Sequence, residues 1–113
     1  MPATDRERIE HMLDAVRKVS NVIAGRSRSD LEADDVLALA LTKLVEIIGE
    51  AAKNVPATTR ERYPQVPWRQ MTATRDRLIH GYFDVDLDVL WEIVSHDLPA
   101  VAPDLEKILL SDD

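Results

Sequence analysis

The sequence predicts an all-α protein, an antiparallel four-helix bundle with a short additional terminal helix. Apolar residues recur every three or four positions through the long segments, which is the spacing of one face of an α-helix. The strict alternation of apolar and polar residues that marks a half-buried strand is absent from the sequence. Prolines fall between the periodic segments, where they end helices. Together these patterns favour a helical bundle over any sheet-containing fold.

The first helix is expected over residues 4–24, because its apolar side chains keep helical spacing throughout. His11 falls off this stripe, so we interpret it as a surface residue. The apolar stripe comprises Ile9, Met12, Leu13, Val16, Val19, Val22 and Ile23.

The second helix, residues 34–54, is the most apolar and is expected to be central in the bundle. Val36, Ala40 and Ile47 widen its apolar face beyond a single stripe. Gly49 interrupts the helix at a cost of about 1 kcal/mol relative to alanine. A glycine there indicates close approach by another backbone, and that of a partner subunit is one candidate.

Glu46 and Glu50 lie four residues apart and therefore share a face of this helix. A metal site or a catalytic dyad is conceivable from such a pair. The favoured interpretation is structural or solvated carboxylates, paired with Lys43, Lys53 or an arginine of the next helix.

The third helix is expected to begin at Trp68 and to lead into residues 75–82, with Gly81 ending it. Trp68 is interpreted as a core residue rather than a platform for stacking bases. A fourth apolar stripe starts at Leu87 and ends near His96. Pro99 and the proline at position 103 then redirect a last apolar segment.

The composition is that of one domain over residues 1–113, with no cysteine for disulfides or thiolate metal sites. The three histidines are widely spaced, so no metal site is expected. No apolar run approaches the roughly 20 residues of a membrane span and no signal-peptide pattern opens the chain. We therefore expect a cytoplasmic protein without membrane attachment.

The formal net charge of −7 argues against free binding to nucleic acid over the whole surface. The charges are unevenly distributed, however. Residues 51–83 carry six basic and two acidic side chains, whereas residues 84–113 carry one basic and nine acidic. The basic segment predicts a local phosphate-attracting site on an acidic protein. From the charges alone a solvated basic loop is the favoured alternative.

The chemistry-bearing side chains gather in that basic segment, at Arg75, Asp76, Arg77, His80 and Tyr82. Histidine is suited to proton transfer near neutral pH, and arginine offers a planar fork of donors to phosphate oxygens. Asp76 lies four residues before His80, so on a helix it can orient the imidazole. Arg75 is five residues away, roughly 140° around a helix. Either the helix ends near His80, or two copies of the motif meet across a dimer.

This pattern resembles the Arg-polar-x-x-x-His signature of the HEPN superfamily, and the extension to Arg75-x-x-x-x-His80-x-Tyr82 resembles HepT-like proteins. The resemblance extends over residues 44–52, 66–69, 89–94 and 97–99, and so covers nearly the whole chain. It implies the HEPN-type helical bundle over residues 1–113.

The resemblance also implies a metal-independent endoribonuclease that needs no cofactor, with Arg75 and His80 as catalytic residues. Asp76 and Arg77 would orient the histidine or bind phosphate. Two copies would form a cleft as a homodimer, cleaving RNA to a 2′,3′-cyclic phosphate and a 5′-hydroxyl. Transfer RNA is the first candidate substrate and messenger RNA the second.

Such proteins are the toxins of type VII HepT/MNT toxin–antitoxin pairs. The resemblance therefore implies an MNT-type nucleotidyltransferase as partner, which neutralises the toxin by adenylylating Tyr82. The alternative is a non-catalytic HEPN module that binds a nucleotide or RNA and accompanies a nucleotidyltransferase. From the residues alone a third interpretation stays open, in which Arg75 pairs with Asp76 and His80 merely caps the helix.

Overall fold

A computed structural model describes residues 1–78 and 84–111, and these residues form helices joined by short connections without any strand. The all-α prediction is confirmed. His80, Gly81 and Tyr82 lie outside the described residues, as does the predicted end of the third helix. The helices are α1 (Ala3–Ile23), α2 (Arg28–Ala33), α3 (Asp35–Lys53), α4 (Ala57–Arg62), α5 (Trp68–Leu78), α6 (Leu87–Glu92), a π-helical segment (Ile93–Asp97) and α7 (Leu98–Ser111).

The core lies between the four longest helices. α1 packs against both α3 and α7, and α3 packs in turn against α5. The predicted boundaries of the first two long helices are confirmed to within one residue at each end. The largest fully buried side chains are Ile9, Met12, Leu31, Leu41, Ile48, Leu78, Leu90, Ile93, Leu98, Leu105 and Ile108.

Aspartate side chains define where α2 and α3 begin. The backbone N–H of Ser27 donates to Asp30 Oδ2 over 2.7 Å, in the capping box that opens α2. Asp34 Oδ1 accepts from the backbone N–H of Leu37 at 3.1 Å and opens α3. Each side chain satisfies a donor that the first helical turn leaves unpaired.

Arg28 connects α2 to α6. Its Nε donates to Asp88 Oδ1 and its Nη1 to Glu32 Oε1, each over 2.7 Å. The hydrogen bond to Asp88, followed by that to Glu32, raises the pKa of Arg28 above its ordinary value. The charged guanidinium therefore links α2 to α6, two helices that are distant in sequence.

The apolar face of α3 is narrower than the sequence predicts. Leu37, Leu41, Val45 and Ile48 are buried, as is Ala52. The expectation that Val36, Ala40 and Ile47 widen the buried face is wrong for the single chain, because all three are exposed together with Leu39. A strip of apolar side chains thus faces solvent along the central helix.

The last third of the chain is more continuous than expected. α6, the π-helical segment and α7 follow one another without a break. α7 is 14 residues long and packs against α1. His96 therefore lies inside a helical run rather than at a helix end. The ring of Pro99 would clash with the carbonyl of residue 95 in a regular α-helix. The wider turn, in which Leu98 N–H donates to Ile93 O, accommodates it.

Trp68 is buried, and its indole Nε1 donates to the carbonyl oxygen of Tyr63 over 2.9 Å. Its predicted role in the core is confirmed. α4 is anchored by a buried hydrogen bond, in which Thr59 Oγ1 donates to Asp5 Oδ2 over 2.6 Å. Within residues 1–78 and 84–111, no helix has the length and apolarity to cross a lipid bilayer.

Candidate active site

The position of the motif depends on how closely α5 approaches α3. A β-carbon placed on Gly49 would lie 3.1 Å from the carbonyl oxygen of Met71 and 3.4 Å from Thr74 Oγ1. Gly49 thus admits another backbone, as predicted, but that backbone belongs to the same chain and not to a partner subunit. The close contact aligns the last turns of α5 with the middle of α3.

Arg75 lies on the last turns of α5 and faces Glu46 of α3, with 3.9 Å between Arg75 Nε and Glu46 Oε1. The expected pairing of Glu46 with an arginine of the next helix is confirmed. Since 3.9 Å exceeds hydrogen-bond length, Glu46 does not occupy the donors of the guanidinium. The Arg75 side chain is 68% exposed, so an anion from solvent can reach it.

Glu50, one turn further along α3, accepts a hydrogen bond from Asn54 Nδ2 over 3.3 Å. This contact supports the structural interpretation of Glu50. Among the described residues, no group of three histidine, aspartate or glutamate side chains is placed to hold a metal ion.

Asp76 and Arg77 diverge from one another around α5. Asp76 is exposed and lines the same groove as Arg75, and no ion pair joins the two among the described residues. Arg77 Nη1 instead lies 3.5 Å from Asp97 Oδ2 of the π-helical segment. It lines a separate cavity of about 720 Å³ between α5 and α7. The structure brings Asp76 to Arg75, but it does not bring Arg77 there.

His80 and Tyr82, the predicted proton-transfer and modification residues, lie outside the described residues. A backbone hydrogen bond joins the described residues on either side of them. The backbone N–H of Asp86 donates to the carbonyl oxygen of Leu78 over 2.9 Å. The chain after the motif therefore returns to the end of α5.

Two grooves flank the Arg75–Glu46 pair. One, of about 530 Å³, lies between α1 and α3 and is lined by Arg8, His11, Ile47 and Arg75, among others. The other, of about 460 Å³, lies between α3, α4 and α5. Sequence reasoning assigned His11 to the surface, where it is, but missed that it shares a groove with Arg75. No sequence signal joins these residues, because only the packing of α1 on α3 brings them together.

Comparison with known proteins identifies the family. The sequence model of the family described as Ribonuclease HepT-like matches residues 12–108, which include α5 and the whole Arg-x-x-x-x-His-x-Tyr motif. The chain belongs to the HepT-like ribonuclease family of the HEPN superfamily. The resemblance seen in the sequence is thereby confirmed.

Two curated relatives cover nearly the full length of this HepT-like chain. "Probable ribonuclease HepT" of Thermococcus cleftensis is 34% identical over 96% of this chain and 98% of its own. "Putative RNase TTE0752" of Caldanaerobacter subterraneus subsp. tengcongensis is 37% identical over 94% of this chain and 95% of its own. No solved structure matches this chain significantly. Family and relatives alike support a ribonuclease of the HEPN type.

Proposed function

We propose that this HepT-like protein is a metal-independent endoribonuclease and the toxin of a type VII HepT/MNT pair. The observation that carries the proposal is the exposed guanidinium of Arg75, presented by α5 at the boundary of two grooves. An exposed arginine in the family motif is suited to bind a phosphate of RNA. The proposal treats residues 1–113 as one HEPN domain that acts in the cytoplasm, where its RNA is found.

The proposed reaction uses the nucleophile that RNA already contains. A histidine, His80, accepts the proton of the 2′-hydroxyl while the 2′-oxygen forms a bond to phosphorus. The bond from phosphorus to the 5′-oxygen breaks, and a second proton-transfer group protonates that oxygen. The products are a 2′,3′-cyclic phosphate and a 5′-hydroxyl. Protons and bonds balance without a metal or a cofactor.

Arg75 is assigned to the phosphate. Negative charge develops on the phosphoryl oxygens in the transition state, where a positioned guanidinium stabilises it. Glu46 lies beside Arg75 without occupying its hydrogen-bond donors, because the pair is separated by 3.9 Å. Asp76, four residues before His80, is assigned to orient the imidazole. Arg77, turned toward Asp97, would contribute to the cleft only by its charge.

We also propose a homodimer, since the motif contains one histidine per chain and a single motif does not supply both a base and an acid. The exposed apolar strip of α3 offers an interface, with Val36 75%, Leu39 66% and Ile47 40% exposed. Ile47 also lines the groove that contains Arg75. A second copy docked on this strip would adjoin the candidate site and bring its own motif near. This continuity favours a second copy of the chain over an unrelated partner.

The proposed antitoxin is an MNT-type nucleotidyltransferase that transfers AMP to Tyr82. The added phosphodiester would compete with RNA for the arginines of the basic segment. Transfer RNA is the first candidate substrate and messenger RNA the second.

Incubation of purified protein with total RNA in EDTA, followed by mapping of the new ends, tests the nuclease. Cyclic phosphate ends that require His80 would support it. RNA binding without cleavage by the wild-type protein would instead identify a non-catalytic HEPN module, and a requirement for magnesium in the chemical step would overturn the mechanism.

A further inference from the structure

A second group of cations lies beyond Arg75 in the groove between α3, α4 and α5. Lys53 closes α3, Arg60 comes from α4 and Arg69 from the first turn of α5. In addition to Arg75, three helices thus each contribute one positive side chain to a groove of about 460 Å³. The sequence indicated a basic segment, but it did not show that these three side chains converge.

These three cations differ from the paired arginines of the described structure. Within residues 1–78 and 84–111, no carboxylate forms an ion pair with Lys53, Arg60 or Arg69, whereas Arg17, for example, pairs with Glu106 at 3.2 Å. Arg60 is half-buried, and its Nε is shielded from solvent without a hydrogen-bond partner in the described structure. A shielded, unsatisfied donor on a cation is costly. Nε itself is closed to solvent, so an anion in the groove interacts with Arg60 through the charge of its guanidinium.

The carboxylates that line the groove do not neutralise the positive charge of its cations. Four cations and three carboxylates line the groove, an excess of one positive charge on a chain of net charge −7. Glu46 is paired with Arg75, and Glu50 accepts from the amide of Asn54. Asp76 is adjacent to Arg75 in sequence. Even with all three carboxylates charged, the groove therefore keeps a net positive charge.

The cations are also displaced from the site of cleavage. α3 and α5 are antiparallel, since Glu46 faces Arg75 while Gly49 faces Met71. Lys53 lies seven residues beyond Glu46, and Arg69 six residues before Arg75. At a rise of 1.5 Å per residue, both lie about 10 Å from Arg75 along the helix axes. A strand with one phosphate on Arg75 can therefore place neighbouring phosphates beside Lys53 and Arg69.

We propose that Lys53, Arg60 and Arg69 form a binding site for backbone phosphates of single-stranded RNA that flank the cleaved bond. The site deepens the proposed function and depends on it for the identity of the cleaved bond. RNA is favoured over other polyanions because the groove is continuous with Arg75. The site holds and orients the strand while Arg75 acts on the scissile phosphate.

The test measures binding without cleavage. A labelled 2′-O-methyl oligoribonucleotide lacks the nucleophile, so its Kd can be measured by fluorescence anisotropy over a range of salt concentrations. Each phosphate contact on a single strand contributes about 0.7 to the slope of log Kd against log salt. The double variant Lys53→Gln and Arg69→Gln removes two exposed cations and should lower that slope by about 1.4.

A matched control removes the same charges from another face. Arg62 stacks over the ring of Tyr63, and Lys107 lines a recess with that tyrosine, so neither belongs to the groove. The double variant Arg62→Gln and Lys107→Gln should keep the wild-type slope. Arg60→Gln, with its melting temperature checked, extends the test to the half-buried cation.

The outcomes separate this inference from the proposed nuclease. Equal slopes for both double variants would overturn the phosphate site, even if the wild-type protein cleaves RNA. A lower slope for the groove variant alone supports the site, and it does so even if natural RNA is left uncut. In that case the nuclease proposal fails while the RNA-binding site stands.

Discussion

Arg75 Nε of α5 and Glu46 Oε1 of α3 lie 3.9 Å apart, with the arginine side chain 68% exposed and the glutamate 31%. The pair places a carboxylate beside the group that we assign to the scissile phosphate. An exposed pair at this distance contributes little to folding, in the range of 0–1 kcal/mol. Its greater consequence is for ligands, because Glu46 repels an anion that approaches Arg75.

Glu46→Gln should therefore strengthen RNA binding. Removal of one negative charge near the phosphate is expected to lower the Kd of an uncleavable RNA about fivefold, or about 1 kcal/mol, and to leave the free energy of unfolding within about 1 kcal/mol of wild type. Anisotropy and denaturant titration measure the two effects. Glu106→Gln, which removes the pair with Arg17 on another face, is the matched control. Weaker binding in Glu46→Gln would show instead that the carboxylate positions Arg75.

Gly49→Ala should destabilise the protein. In an unhindered helix interior this change adds about 1 kcal/mol of stability. Here the new methyl group would lie 3.1 Å from the Met71 carbonyl oxygen, which belongs to the backbone of a packed helix. Forcing α5 away costs on the order of 1–3 kcal/mol. Denaturant unfolding measures the change in the free energy of unfolding. A gain in stability would show that the α3–α5 contact is looser than the structure indicates.

Arg75→Ala and His80→Ala should each reduce RNA cleavage about 100-fold or more in the presence of EDTA. Arg75→Lys should restore only part of the activity, because lysine keeps the charge but loses the planar fork of donors. Initial rates on a defined RNA under single-turnover conditions measure these changes, and Arg26→Ala, outside both grooves, serves as a control. Full activity in Arg75→Lys would mean that Arg75 acts by charge alone.

The apolar strip of α3 predicts how the protein assembles. Leu39→Glu combined with Ile47→Glu would bring four negative charges to the interface of two copies, so the dimer should dissociate to monomers. Sedimentation velocity at micromolar concentration measures the assembly. Leu110→Glu is the matched control, because Leu110 is 87% exposed on α7 and lies away from the strip. A wild-type monomer that still cleaves RNA would rule out the shared cleft.

The helices were predictable to the extent that hydrophobic periodicity defines them. α1 and α3 match because their apolar positions recur over many turns. Periodicity does not say what covers an apolar side chain, which is why Val36 and Ile47 were expected to be buried. Likewise, Gly49 predicted that another backbone approaches α3, but the sequence did not identify that backbone as α5.

The site was predictable where its residues are close in sequence. The motif from Arg75 onward was recognised by its resemblance to the HepT-like signature. The convergence of Lys53, Arg60 and Arg69 depends instead on the packing of three helices. Arg77 shows that closeness in sequence does not ensure closeness in space. It is two residues from Arg75 but about 200° around α5, and it pairs with Asp97 instead.

The last prediction concerns Tyr82, whose position in the motif is the one that we expect an MNT-type antitoxin to modify. Transfer of AMP would add a phosphodiester charge and a bulky base to the phenol, and thereby exclude RNA. Tyr82→Phe should fold normally and stay toxic, yet gain no mass on incubation with the antitoxin, ATP and magnesium. Tyr63→Phe is the matched control, because Tyr63 packs against the core beside α4 and should leave modification of Tyr82 intact. Intact-mass spectrometry measures the added AMP. Undiminished addition to Tyr82→Phe would place the modification on another residue and leave Tyr82 without a regulatory role.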